Sequence, residues 1–173
     1  MNKMREICVD KITLNIGTGG PGENLDKAMK LLNNLTNIKA VSTATKKRIP
    51  GWGLRPGLKI GCKVTLRGKK ADEFLRKLLA AKNNMLKEKN FDAEGNFSFG
   101  IPEYLDIPTA VYDSQIGIIG LEVAVSLARP GFRVKRRHIM PRKISKKHKI
   151  SKEEAINFMR ERHAIEVIKH DHE

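Results

Sequence analysis

The chain has 173 residues, 40% hydrophobic and only 5% aromatic, enough for one sizeable core built mainly from aliphatic side chains. A formal net charge of +15 lies far from the neutral range of a metabolic enzyme and points to a polyanionic partner, nucleic acid or an anionic membrane. The excess is segregated: residues 39–70 hold ten Lys or Arg and no acid, and residues 129–152 hold eleven and no acid. One charge run is usually a solvated face; two long acid-free runs in a chain with 31% charged residues are not.

From Cys8 to Ile16 the residues alternate, with Cys8, Ile12, Leu14 and Ile16 on one side and Lys11, Thr13 and Asn15 on the other, as a half-buried strand requires. Asp10 interrupts the apolar side, so cover is expected only beyond it. Residues 17–22 satisfy G-x-G-x-x-G between a strand and a helix. A dinucleotide site also wants an acidic residue about twenty positions further on. Residues 39–48 contain none, so a turn and helix entry is the better reading, although its N–H groups can still meet a phosphate. A helix is expected from near Asn24, with Leu25, Ala28, Met29, Leu32 and Leu35 as its stripe, ending at Thr36-Asn37. A second strand is expected over residues 39–46.

The loop from Arg48 to Gly57 carries three glycines, two prolines and the chain's only Trp, a composition for turns rather than helix. Behind it, residues 59–67 alternate again. Ile60, Cys62, Val64 and Leu66 point one way, and Lys59, Gly61, Lys63, Thr65 and Arg67 the other, a wet strand face without a carboxylate. Trp52 is suited either to stacking on an exposed base or to packing the loop onto its own domain. A second helix is expected over residues 70–87, buried through Phe74, Leu75, Leu78, Leu79, Met85 and Leu86.

Asp92, Glu94, Asn96 and Ser98 faintly resemble a calcium loop, but the glycine is misplaced and no carboxylate closes it, which leaves a hairpin turn. Residues 96–101 read as a short strand, 102–108 as irregular, and 121–128 as another half-buried strand closed by Pro130-Gly131. Beyond the basic segment, Ser151 to Glu154 is a capping-box signature for a last helix with Ala155, Phe158 and Met159 inward. A segment with so many like charges is expected to fold on binding.

The expected fold is α+β: a largely antiparallel open sheet with helices packed on one face, plus a basic C-terminal extension. Residues 1–130 read as an α+β RNA-binding domain, and residues 131–173 as an extension and short helix of the same domain. Cys8 and Cys62 read as small buried hydrophobes in a reducing compartment. The start of the chain lacks the apolar stretch of a signal peptide, and residues 116–121 are far too short to span a bilayer. Of the histidines, only His170 and His172 lie close together, and no metal, cofactor or catalytic constellation emerges. A membrane-surface role fails because the basic runs lack an amphipathic helix with a large apolar face. What remains is RNA, with Lys11, Lys59, Lys63 and Arg67 at phosphates and Asn15 and Thr65 at 2′-hydroxyls or base edges. A nucleotide-binding enzyme using the Gly17–Gly22 turn and an RNA chaperone without a preferred RNA are the rival readings.

Four stretches also resemble a known family: Lys11 to Gly17, Ile60 to Gly68, Gly95 to Gly100 and Gly120 to Val123, in order and spacing. Together they resemble the large-subunit ribosomal protein five family, over about residues 3–159. The tail from Arg129 to Met159 is similar to its archaeal and eukaryotic branch. The resemblance implies a structural constituent of the large ribosomal subunit in the cytoplasm, anchoring 5S ribosomal RNA in the central protuberance without enzymatic activity or cofactor. It implies that Asn15, Trp52, Thr65 and Arg67 lie at the 5S RNA contact. Trp52 stands where bacterial relatives carry Phe, and Ile38 where they carry a Gln. It further implies that the loop 47–57, with Lys47, Arg48 and Arg55, reaches the elbow of peptidyl-site tRNA. Large-subunit ribosomal RNA and neighbouring proteins of the central protuberance are further implied partners. Arg133, Lys135, Arg136, Arg137, Arg142 and Lys143 are the tail's RNA-binding candidates.

Overall fold

The computed structural model describes residues 2–168; His170 and His172 lie outside the described residues. In chain order the main elements are β1 (Cys8–Gly17), α1 (Glu23–Thr36), β2 (Val41–Ala44), β3 (Lys59–Arg67), α2 (Lys69–Ala80), β4 (Met85–Lys87), β5 (Phe97–Ile101), β6 (Leu121–Ala128), α3 (Arg133–Arg136), α4 (Lys152–His163) and β7 (Glu166–Ile168). The fold is α+β, with a five-stranded antiparallel sheet of order β2-β3-β1-β6-β5 and a separate two-stranded sheet of β4 and β7. The chain divides into two compact units. Among the described residues, one comprises 2–12, 67–99 and 125–168, and the other 13–66 and 100–124.

In the second of these, alternation does what its period demands. Leu14 and Ile16 of β1 and Cys62, Val64 and Leu66 of β3 are buried, while Lys59, Lys63 and Thr65 are exposed. The α1 stripe is Leu25, Ala28, Leu31 and Leu32. Leu31 takes the inward position expected of Met29 and Leu35, which are only half-buried. The helix ends on Asn37 in the left-handed conformation (φ 52°), its N–H donating to Asn33 O. β2 is shorter than expected. It pairs antiparallel with β3, Val41 opposite Lys63 and Thr43 opposite Gly61, with a register shift between Thr43 and Ala44.

In the other unit, α2 stops at Ala80, seven residues before the expected end. Asn83 and Asn84 take left-handed φ of 54° and 55°, and Asn84 N–H donates back to Leu79 O at 2.9 Å. Asn tolerates that conformation better than most residues, so the pair closes the helix. Met85 and Leu86 therefore lie not on a helical stripe but in β4, where alternation buries Leu86 and exposes Met85. β4 pairs in parallel with β7, with Leu86 opposite Val167, a strand too short to have shown a period in the sequence. Cys62 is buried as expected; Cys8 is exposed. Its strand gains cover only past Asp10, and its thiol donates to Ala128 O at 3.2 Å.

Candidate RNA-binding surface

In the unit formed by residues 13–66 and 100–124, β3 turns Lys59, Lys63 and Thr65 outward, as the alternation requires. Gly61 shares their parity but is buried, because a Cβ there would sit 2.7 Å from Ile16 O of the neighbouring strand. The row is thus cation, gap, cation, hydroxyl. Beside it, half-buried Asn15 donates from Nδ2 to Glu122 Oε2 at 3.2 Å. Asn15 is therefore held in place, and β6 contributes a carboxylate to a face that β3 alone leaves free of acid.

The loop between β2 and β3 is a built structure. Thr45 N–H donates to Leu58 O and Gly57 N–H to Thr45 O, both at 2.9 Å, and the Thr45 hydroxyl donates to Arg55 O. Further out, Ile49 and Leu54 form an antiparallel bridge around a 3-10 turn, Pro50–Trp52. Leu54 is buried and anchors the loop, so Trp52 need not pack it: the indole stands 76% exposed at the tip. Lys46, Lys47, Arg48 and Arg55 are exposed around it. Of the two roles open to Trp52, this exposure favours stacking over packing the loop onto its own domain.

The glycine-rich turn is closed by its own hydroxyl. Thr18 donates through N–H to Ile60 O at 2.9 Å and shares its Oγ1 proton between Gly20 O (3.0 Å) and Ile60 O (3.2 Å). The first turn of α1 carries Glu23 and Asp26, which set negative charge where a bound phosphate would need none. An antiparallel sheet also lacks the doubly wound frame of a dinucleotide site.

In the other unit, β1 and β3 carry Lys11 and Arg67. Lys11 is half-buried, and Arg67 is exposed with its Nη1 3.6 Å from Asp10 Oδ1. Arg136 donates to Asp10 Oδ2 at 2.7 Å. The Asp92 turn is the expected hairpin: Asp92 Oδ1 accepts from Glu94 N–H and Asn96 N–H, and Oδ2 from Asn96 Nδ2. Among the described residues no group of His, Cys, Asp and Glu could hold a metal ion.

The basic tail has a centre that sequence reading missed. Arg129 is 7% exposed; its Nη1 donates to Lys149 O at 3.1 Å and its Nη2 to Glu154 Oε1 at 2.8 Å. Glu154 is also the partner of Ser151 in the capping box. The hydrogen bond from Ser151 N–H, joined by Arg129, holds its carboxyl below the usual range. Glu94 receives Lys149 at 3.1 Å and Lys135 at 3.6 Å, and those lysines hold its carboxyl low as well. Lys152 reaches Glu88 at 3.0 Å. Arg133, Arg137, Arg142 and Lys143 are exposed. The missed signal was the scattered acids Glu88, Glu94 and Glu154, which lie outside the acid-free run yet set its course.

Fold and surface together define an α+β protein that exposes a polar cationic sheet face, an aromatic-tipped loop and a basic tail. Comparison with known proteins sharpens this. The family model of the ribosomal protein L5 C-terminus matches residues 59–158, and that of ribosomal protein L5 itself matches residues 2–55. The chain is 48% identical to large ribosomal subunit protein uL5 of Sulfurisphaera tokodaii, over 97% of this chain and 96% of that one. It is 49% identical to the uL5 protein of Nanoarchaeum equitans, over 95% and 98%, and 44% identical to that of Methanosphaera stadtmanae, over 93% and 96%. The chain belongs to the ribosomal protein L5 family, structural components of the large ribosomal subunit rather than enzymes. Among the described residues no helix is long and apolar enough to cross a membrane.

Proposed function

We propose that this chain anchors 5S ribosomal RNA in the central protuberance of the large subunit on the cytoplasmic ribosome, and that its β2–β3 loop meets the elbow of peptidyl-site tRNA. The observation that carries the reading is the outward row Lys59, Lys63 and Thr65 beside a positioned Asn15. Lysines supply phosphate contacts, and a hydroxyl and an amide supply contacts to 2′-hydroxyls and base edges. In the other unit, Lys11 of β1 and Arg67 of β3 are assigned phosphate contacts of their own. Trp52, 76% exposed, is assigned to the 5S RNA contact, since an indole free of its own domain can stack on an exposed base, and the exposed Lys47, Arg48 and Arg55 of the same loop support the tRNA contact. Arg133, Lys135, Arg136, Arg137, Arg142 and Lys143 are assigned to large-subunit ribosomal RNA, and neighbouring ribosomal proteins are further partners. Residues 1–130 and the extension 131–173 act as one RNA-binding domain.

Binding of the purified chain to 5S RNA across a salt series, with tRNA and an unrelated hairpin as competitors, tests this. The logarithm of the binding constant should fall with the logarithm of salt by about 0.7–0.9 for each phosphate neutralised. Binding that survives competition near physiological salt supports the reading. Equal displacement by every RNA would leave a generic RNA chaperone.

A further inference from the structure

The basic tail does more than present charge. With Leu127 and Ala128 of β6 it walls a cavity of about 700 Å³, whose apolar lining includes Phe132, Ile144 and Ile150. Seven Lys or Arg and two carboxylates also line it. Both carboxylates are already engaged, Asp10 by Arg136 at 2.7 Å and Glu94 by Lys149 at 3.1 Å. Lys11, Arg142, Lys143 and Lys146 have no carboxylate partner among the described residues of this unit. Ser126 adds a hydroxyl. Asn96, whose Nδ2 is spent on Asp92 at 2.9 Å, keeps its Oδ1 as an acceptor.

We infer that this cavity receives one unpaired nucleotide of an RNA strand, its base against the apolar lining and its phosphate among Lys11, Arg142, Lys143 and Lys146. The inference rests on the RNA reading above and adds a site to it. A bare phosphate would leave the apolar lining unused, and an uncharged ligand would leave the cations unpaired. A volume of this size lies within the usual range for small-ligand sites, which accommodates a nucleotide. The strand, rather than a free nucleotide, is favoured because Arg133, Arg137 and Lys147 continue the charge along the same segment, where flanking phosphates would run.

The test uses the full chain with pentauridylate and pentaadenylate, an abasic ribose-phosphate pentamer of equal charge, free 5′-mononucleotides, and 5S RNA in parallel. Base-bearing pentamers should bind about tenfold tighter than the abasic chain. A central 4-thiouridine should crosslink within residues 126–150. Phe132→Ala should erase the advantage of the bases, and the pair Arg142→Glu, Lys146→Glu should weaken base-bearing and abasic chains alike. If Phe132→Ala fails to fold, Ser126→Phe fills the cavity without removing charge and should give the same loss. Equal affinity for abasic and base-bearing chains, a crosslink elsewhere, or mononucleotides binding as well as pentamers would overturn the inference. If 5S RNA binds while the pentamers do not discriminate, only the cavity assignment fails; if 5S RNA does not bind, the wider reading fails.

Discussion

Lys63 and Trp52 are solvent-facing side chains with little to lose in the fold, so their substitutions separate binding from stability. Lys63→Ala is expected to leave the melting temperature unchanged and to lower the salt slope of 5S RNA binding by about one phosphate's share, roughly 0.7–0.9. Trp52→Ala is expected to weaken 5S RNA binding by about 1–3 kcal/mol, the range for one stacked base, with the same melting temperature. A stability loss instead would mean that the indole packs after all. The two thiols offer a third check at this scale. Burial pushes the Cys62 thiol up to about 11, whereas Cys8 is exposed although burial, Asp10 and Glu6 raise its pKa too. Alkylation of the folded protein should modify Cys8 alone, and Cys62 should react only after denaturation.

Elements are held by a few side chains whose roles are local. The Asp92 hairpin ends on Gly95 at φ +79°, and a Cβ there would lie 2.6 Å from Ile150 Cγ2. Gly95→Ala therefore combines a left-handed backbone with a clash against a buried residue. It is expected to cost about 1–3 kcal/mol in denaturant unfolding. The mirror case is Leu54. Its burial at the root of the β2–β3 loop means Leu54→Ala should loosen the presentation of Trp52, at a cost on the order of 2 kcal/mol or more. The start of α4 was legible from four letters, since a capping box is a local hydrogen-bond pattern that needs no tertiary partner. The end of α2 was not, because Leu86 satisfies a helical stripe and a strand face equally well. Only the left-handed Asn83 and Asn84 and the pairing of β4 with β7 choose between them.

At the scale of the whole chain, stability is expected to carry a pH signature. The side chain of His163 is 1% exposed, and neither ring nitrogen has a hydrogen-bond partner among the described residues. Burial lowers its pKa. Asp72 Oδ1 at 3.5 Å works in the opposite direction, and Arg162 and Arg76 add to the lowering. The unfolded chain therefore binds this proton more readily than the folded one, so the contribution is present above the ordinary value of 6.5 and lost as pH falls below it. Glu94 and Glu154, both held low, add losses of the same sign as pH falls toward the carboxylate range. Melting temperature should drop between pH 7 and 5 in the wild type and drop less in His163→Gln. A parallel decline in both would assign the effect elsewhere.

The sequence by itself determined the α+β class, the buried parity of β1, β3 and β6, the hairpin at Asp92, the capping box at Ser151 and the basic row on β3. Each of these is a period or a contact spanning a few residues, so the order of side chains states it directly. Tertiary structure decided what depends on partners far apart in the chain. It set Glu122 against Asn15, buried Leu54 so that Trp52 could face outward, and exposed Cys8 at an uncovered strand end. It also gathered Glu94, Glu154 and Arg129 into the frame of the tail. Charge composition states how many cations a segment carries; only the positions of the carboxylates in space state which of them are already paired.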